Sequence, residues 1–156
     1  MHRRDLIAAF GLVAVSRAAF AHHGWSSFDQ DRPIYLEGTA DKVVWRNPHA
    51  EVMLRLAPDV RLPADLAGRA LPAQSAQVDG PKLLAAARLP TRRDAVWEIE
   101  LAPLTRMEAW KVAEIKPGER IAVVGFTLTG EKGEAVVRAE YLFVAGKVYG
   151  LRSAPA

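Results

Sequence analysis

Two adjacent histidines lie directly after the tripeptide Ala-Phe-Ala, in the stretch RAAFAHHGWSSFD of residues 17–29. If a peptidase cleaves after Ala21, His22 becomes the first residue of the working protein. Its α-amino group, which titrates close to neutral pH, and its imidazole can then chelate one metal ion. Nitrogen ligands in a tetragonal arrangement favour Cu(II) over Ni(II) or Zn(II). The sequence therefore predicts copper(II) as the candidate cofactor.

A third nitrogen ligand is expected from His23 or from His49, the one other histidine after the first 21 residues. Neighbouring residues of an extended chain point in different directions, so His22 and His23 share a metal ion only where the chain bends. His49 follows the Asn-Pro corner at positions 47 and 48, where a predicted strand begins. The alternative is that the paired histidines are exposed residues with no ligand and that His49 hydrogen-bonds the backbone of the turn.

Trp25, Trp45 and Asn47 are further candidates for ligand binding. An indole ring can stack on a planar ligand, and Trp45, Trp97 and Trp110 are candidates for such a surface at the mouth of the domain. The alternative is packing, in which Trp25 attaches the N-terminal arm to the domain and the other indoles fill its core or rim.

Residues 1–21 are predicted to form an export signal. Arg3 and Arg4 give a positive start, LIAAFGLVAV is a short apolar run, and Ala19 and Ala21 occupy the small-residue positions of a cleavage site. The paired arginines resemble a twin-arginine signal, with an ordinary secretory signal as the alternative. The apolar run is too short for a membrane anchor. We therefore expect a periplasmic or secreted protein without a stable membrane anchor after cleavage.

Most of the net positive charge of the chain lies in this predicted signal. The chain has 21 Lys and Arg residues against 18 Asp and Glu residues. Three of the arginines and one of the aspartates lie in residues 1–21, so the remainder carries a net charge of +1. That remainder lacks the basic stripe of a nucleic-acid-binding protein, and we predict no nucleic acid partner. The absence of cysteine excludes disulfides, thiolate metal sites and a cysteine nucleophile.

The rest of the chain is organised as β-prone runs separated by turns. IYLEGTADKVVWRN, HAEVMLRLA and AVWEIELA are three predicted strands, and KPGERIAVVGFTL and EAVVRAEYLFV contain a fourth and a fifth. PLTRMEAWKVAEI has a helical spacing and begins with proline, which predicts a short helix between the third and fourth strands. This order predicts a mainly β fold, a small five-stranded OB-like barrel, with a β-sandwich as the alternative.

Three segments of the mature chain are distinguished by composition. Residues 22–33 are polar and turn-rich and are predicted to form an extended arm, and residues 34–152 are predicted to form the barrel domain. A Pro- and Ala-rich segment at about residues 58–94 interrupts the domain, and we interpret it as a tolerated insertion. Within it, PKLLAAARL predicts a short helix that starts at Pro81. Gly38 in the first strand suggests a bulge.

Catalytic motifs are absent from the sequence, which contains no G-x-S-x-G, P-loop or H-E-x-x-H pattern. Glu98 and Glu100 lie on one face of the third strand, and the alternation assigns that face to solvent. Nothing in the sequence requires an enzyme.

Several segments together resemble an uncharacterised family of small exported bacterial proteins: AHHGWSSFD, LEGTADKVVWRNPHAEVML, VWEIEL and IKPGERIAVVGF. Members of that family begin with an AHHS-type sequence after the signal and carry a W-x-N-P-H corner. Those features correspond here to His22, His23, Trp45, Asn47, Pro48 and His49. This chain departs from the pattern in Gly24-Trp25, where serine is common, and in its long insertion. The resemblance implies an exported OB-like domain, and it implies no activity.

Three functional hypotheses follow. The first is an exported periplasmic module that binds copper through His22, His49 and His23. The second is a metal-free OB-like module that binds a protein, a cell-envelope component or a small molecule, since a fold does not identify a partner. The third is a copper-dependent oxidative enzyme, which needs an open metal position beside a flat substrate surface. The first two are favoured over the third.

Overall fold

The structure is a computed structural model that describes residues 24–156, so His22, His23 and the predicted export signal lie outside the described residues. It contains two α-helices and six strands: α1 (Gly80–Ala86), α2 (Leu104–Ala109), β1 (Ile34–Val44), β2 (Glu51–Leu56), β3 (Val96–Glu100), β4 (Arg120–Thr127), β5 (Val136–Val144) and β6 (Lys147–Gly150). Short 3-10 turns span Trp25–Ser27, Leu66–Gly68 and Thr129–Glu131. Between residues 24 and 156, no helix is both long and apolar enough to span a membrane.

Five of the strands close into a barrel. β3, β2, β1, β4 and β5 are antiparallel neighbours in that order, and β3 also pairs with β5 in parallel through a ladder that begins at Glu98 and Val136. α2 connects β3 to β4, and β6 extends the sheet beyond β5. The predicted mainly β, five-stranded OB-like fold is confirmed, with one additional strand.

Side chains from alternate strand positions fill the barrel. Val52 and Leu54 of β2 and Trp97 and Ile99 of β3 are fully buried, as the period of two predicts. The indole N–H of Trp97 donates a hydrogen bond to the carbonyl oxygen of Asp94 at 3.1 Å. Trp97 is therefore a core residue, and it does not form a ligand-stacking surface.

A second hydrophobic cluster covers part of the outer face of the barrel. The segment between β2 and β3, residues 57–95, contributes Leu66 and Leu84, which are buried against Tyr35, Val124 and Tyr141. The segment is therefore packed on the barrel along much of its length. Its burial contributes hydrophobic stabilisation that a loose surface loop would not provide.

Local sequence accounts for the helix within this segment. Asp79 caps α1, because its carboxylate accepts a hydrogen bond from the backbone N–H of Lys82 at 3.1 Å. Pro81 lies in the first turn, where the missing N–H would have no partner within the helix. These two residues position Leu84 on the barrel side of α1.

β1 makes its closest approach to β2 at Gly38. A Cβ atom at this position would lie 2.0 Å from the carbonyl oxygen of Arg55, so only glycine fits. The bulge that the sequence suggested at Gly38 lies further along β1, between Ala40 and Lys42. Close approach and bulge together let the long strand bend around the barrel.

We expect the substitution Gly38→Ala to lower the free energy of unfolding by about 2–4 kcal/mol, because the backbone of Arg55 has to move away. Gly68→Ala is the matched control, since a Cβ atom at position 68 meets nothing within 4 Å. Chemical denaturation of both variants measures the difference. Equal stability of the two variants would contradict the close approach of β1 to β2.

Candidate functional site

The corner between β1 and β2 holds three of the candidate residues. Asn47 and Pro48 are joined by a cis peptide bond. The side-chain oxygen of Asn47 accepts a hydrogen bond from the backbone N–H of Leu104 at 3.1 Å, which ties the corner to the first residue of α2. Trp45 is half-buried and packs against the barrel core. His49 is also half-buried.

His49 lies two residues before β2, and the Nδ1 atom of its imidazole is buried. The next residue, Ala50, is fully buried and exchanges backbone hydrogen bonds with Leu101 and Ala102. Because successive residues of a strand point to opposite faces, Glu51, which precedes the fully buried Val52, points outward. Glu51 is the first residue of β2, so His49 lies close in sequence to the end of this outer face.

A row of charged residues crosses the same outer face. Glu51 pairs with Glu100 in the antiparallel ladder of β2 and β3. Glu100 in turn pairs with Arg138 in the parallel ladder that closes the barrel. Directly paired residues of neighbouring strands lie on the same face of a sheet. His49 is therefore close to the end of a row formed by Glu51, Glu100 and Arg138.

The described part of the arm, residues 24–33, packs against this face. Phe28 is buried in a cluster with Phe126 and Val136. The backbone N–H of Asp29 donates a hydrogen bond to the carbonyl oxygen of Thr127 at 2.9 Å. The indole of Trp25 meets the ring of Phe126 edge-on, with 6.4 Å between the ring centroids.

Two arginines hold the aromatic rings of the arm. The guanidinium carbon of Arg152 lies 3.8 Å from the ring centroid of Trp25, and that of Arg138 lies 5.1 Å from the same centroid. Arg138 also lies 5.0 Å from the ring centroid of Phe28. Arg152 donates a hydrogen bond to the side-chain oxygen of Gln30 at 3.0 Å. Cation–π attraction therefore adds to apolar burial in fixing the arm.

Buried carboxylates orient both arginines. Arg138 donates to Oε2 of Glu100 from Nε at 2.9 Å and from Nη2 at 2.5 Å, and both side chains are less than 10% exposed. Arg152 contacts Oε2 of Glu140 at 2.8 Å from Nε and at 2.7 Å from Nη2. The Glu140 carboxylate is fully buried, which raises its pKa, while the charge of Arg152 acts in the opposite direction.

The assignment of Glu100 to a solvent face was wrong. Glu100 does lie on the outer face of the barrel, as the alternation predicts, but the Arg138 side chain and the arm cover that face. A period of two identifies the inner and outer faces of a sheet, and it does not show which parts of the outer face other segments cover. The signal that was missed is the pair Arg138 and Glu140, two charged residues inside a strongly apolar strand.

The candidate residues thus fall into two groups. Trp45, Asn47 and His49 share the corner between β1 and β2, while Trp25 belongs to the arm and contacts residues of β4, β5 and the C-terminal segment. His22 and His23 lie outside the described residues. Within residues 24–156, no group of three or more His, Asp or Glu side chains is arranged to hold a metal ion.

Comparison with known proteins identifies one family match. The model of a family of unknown function (DUF6152) matches residues 9–61, about a third of the chain. The expected resemblance to an uncharacterised family is consistent with this match. The matched range contains the paired histidines and the W-x-N-P-H corner, and the segments VWEIEL and IKPGERIAVVGF lie beyond it. No curated protein and no solved structure matches the chain.

We expect Glu100→Gln to lower the free energy of unfolding by about 3–5 kcal/mol, because an amide cannot balance the buried charge of Arg138. The matched control is Asp41→Asn, which breaks the exposed pair of Asp41 and Arg55 and should cost less than about 1 kcal/mol. Urea denaturation at neutral pH measures both. Similar losses in the two variants would show that the Glu100–Arg138 pair behaves like a surface pair.

We expect Arg152→Gln to destabilise the protein more at neutral than at acidic pH. Burial raises the pKa of Glu140, and removal of Arg152 raises that pKa further. The folded chain then takes up a proton more readily than the unfolded chain. The variant should therefore lose stability as the pH rises through the range between the unfolded and folded pKa values, and recover it on acidification.

The size of this effect separates the charge from the packing. At pH 7 we expect a loss of about 3 kcal/mol, part of which reflects the lost contact with Trp25 and does not depend on pH. In the double variant Glu140→Gln/Arg152→Gln, the pH-dependent part should vanish. A loss of stability in Arg152→Gln that is the same at neutral and acidic pH would contradict the role of Arg152 in stabilising the ionised form of the Glu140 carboxylate.

Proposed function

We propose that the protein is exported and binds copper(II) through the amino-terminal nitrogen and the imidazole of His22, with His49 as the third ligand and His23 as its alternative. Export is supported by the paired arginines, the short apolar run and the Ala-Phe-Ala site before His22. The balanced charge of the remaining chain also fits a protein whose basic character belongs to its signal.

The packing of the arm is the observation that carries the proposal. Trp25 and Phe28 follow the proposed N-terminus closely in sequence, and both contact the guanidinium of Arg138. A metal site needs ligands that are held in place before the ion arrives. An arm that is anchored within three residues of His22 limits the space that the terminal amine can explore.

The spacing of chain and sheet supports His49 as the third ligand. An extended residue spans at most about 3.6 Å, so an amine at His22 stays within roughly 12 Å of the Cα atom of Trp25. Neighbouring strands are about 4.8 Å apart, and only β3 separates β2, which begins two residues after His49, from β5, which carries Arg138. These lengths are compatible with one metal ion bridging the terminus and the corner.

The chain that begins at His22 should bind Cu(II) at least about 100-fold more tightly than a chain that begins at Ala19. In the longer chain, an amide replaces the amine nitrogen at His22. Ala19 is the suitable start because it makes His22 the fourth residue. A histidine in second or third place would form a copper chelate of its own with the new free amine. Competition titration measures affinity, and electron paramagnetic resonance reports the number of nitrogen ligands.

The third ligand is identified by substitution. His49→Ala should weaken binding by roughly tenfold or more and remove one nitrogen from the spectrum. His23→Ala removes only a competing chelate from second place, so it should have a smaller effect on affinity and leave the nitrogen count unchanged. The reverse result would make His23 the third ligand. Equal copper affinity of the two chain lengths, or mass spectra of exported protein with another first residue, would refute the proposal.

A further inference from the structure

A cavity of about 390 Å³ lies between β1, β4 and the turn from β5 to β6. Arg69, from the segment between β2 and β3, forms one of its walls. This volume falls within the range of small-molecule sites. None of the arm residues 24–33 lines the cavity, so this inference is independent of the copper proposal.

The cavity lining carries more positive than negative charge. Arg69, Arg120 and Lys147 line it together with a single carboxylate, that of Glu37. Glu37 is already engaged, because one oxygen contacts Arg120 at 2.6 Å and the other accepts the hydroxyl hydrogen of Tyr35 at 2.8 Å. Counting Asp65, which pairs with Arg69 at 3.0 Å and does not line the cavity, three cations still face two carboxylates.

The remaining walls are apolar and partly flat. Ala122, Phe143 and Val148 line the cavity and belong to the second hydrophobic cluster. The guanidinium carbon of Arg69 lies 5.2 Å from the ring centroid of Phe143, so a cation and an aromatic ring stack at one wall. Burial and the neighbouring Glu37 carboxylate raise the pKa of the Tyr35 hydroxyl well above its usual range, and its hydrogen is donated to Glu37.

We propose that this cavity binds a small aromatic carboxylate. Arg69 and Arg120 each use part of the guanidinium on Asp65 and Glu37, and their remaining N–H groups attract the ligand's carboxylate together with the ammonium of Lys147. The apolar walls and the ring of Phe143 suit a flat hydrocarbon body, which a strongly hydrated inorganic anion does not offer. The packed segment between β2 and β3 then has a binding role, because it supplies Arg69.

The test is a titration of the full-length chain with sodium benzoate, in which backbone amide NMR chemical shifts report binding. We expect saturable shifts at Tyr35, Ala122 and the turn residues 143–148. Acetate supplies the charge without the ring, and benzyl alcohol supplies the ring without the charge. Both should bind at least about fivefold more weakly than benzoate. Inorganic phosphate is the further probe, and we expect it to bind more weakly than benzoate as well.

Variants locate the binding groups. Lys147→Gln and Arg69→Gln should each weaken benzoate binding by about fivefold or more, and Phe143→Leu should weaken benzoate more than acetate. Arg61→Gln is the matched control, because Arg61 is an exposed arginine of the same segment that does not line the cavity, and it should bind as the unchanged chain does. The amide spectrum of each variant shows that it is folded, and Lys147→Gln changes an exposed residue in case Arg69→Gln does not fold.

Each alternative result overturns the proposal in a defined way. No saturable shift with benzoate, or shifts elsewhere in the barrel, would exclude the cavity as the site. Phosphate or acetate binding as tightly as benzoate would leave a general anion site and refute the aromatic ligand. Benzoate affinity unchanged in Lys147→Gln and in a folded Arg69→Gln would show that the lining cations do not recognise the carboxylate.

Discussion

The parallel pairing of β3 with β5 is the constraint on which the other features of this structure depend. It closes the barrel around Trp97 and Ile99, and the same ladder brings Glu100 beside Arg138 on the outer face. A buried carboxylate then fixes the guanidinium that supports the aromatic rings of the arm. The register of one short ladder therefore links the core of the barrel to the docking of its N-terminal segment. Without closure, Arg138 would have no reason to be buried.

Much of the fold was predictable, because inward-facing and outward-facing residues alternate along each strand of a barrel. The period of two in β2 and β3 identified the core residues, and Pro81 located α1. The outer face was less predictable, since its covering comes from segments distant in sequence. Glu100 was assigned to solvent for that reason. The packing of residues 57–95 on the barrel could not be predicted either, because prolines and alanines are typical both of loose loops and of irregular segments that pack on a core.

The candidate site illustrates the same limit. Residue types alone singled out His49 and the corner, and they indicated which metal ion nitrogen ligands would favour. They could not show that the corner is tied to α2 through Asn47, or that Trp25 contacts two arginines that lie far from it in sequence. Local chemistry is readable residue by residue, whereas the convergence of Trp25 with Arg138 and Arg152 is a property of the folded barrel.

The contact between Gln30 and Arg152 spans 122 positions, and it has a consequence for biogenesis. A ribosome releases Trp25 long before Arg152, so the indole has no guanidinium from Arg152 to stack on until residue 152 has been synthesised. The contact between Trp25 and Arg152 therefore forms after the contacts of the arm with Phe126 and Arg138 become possible.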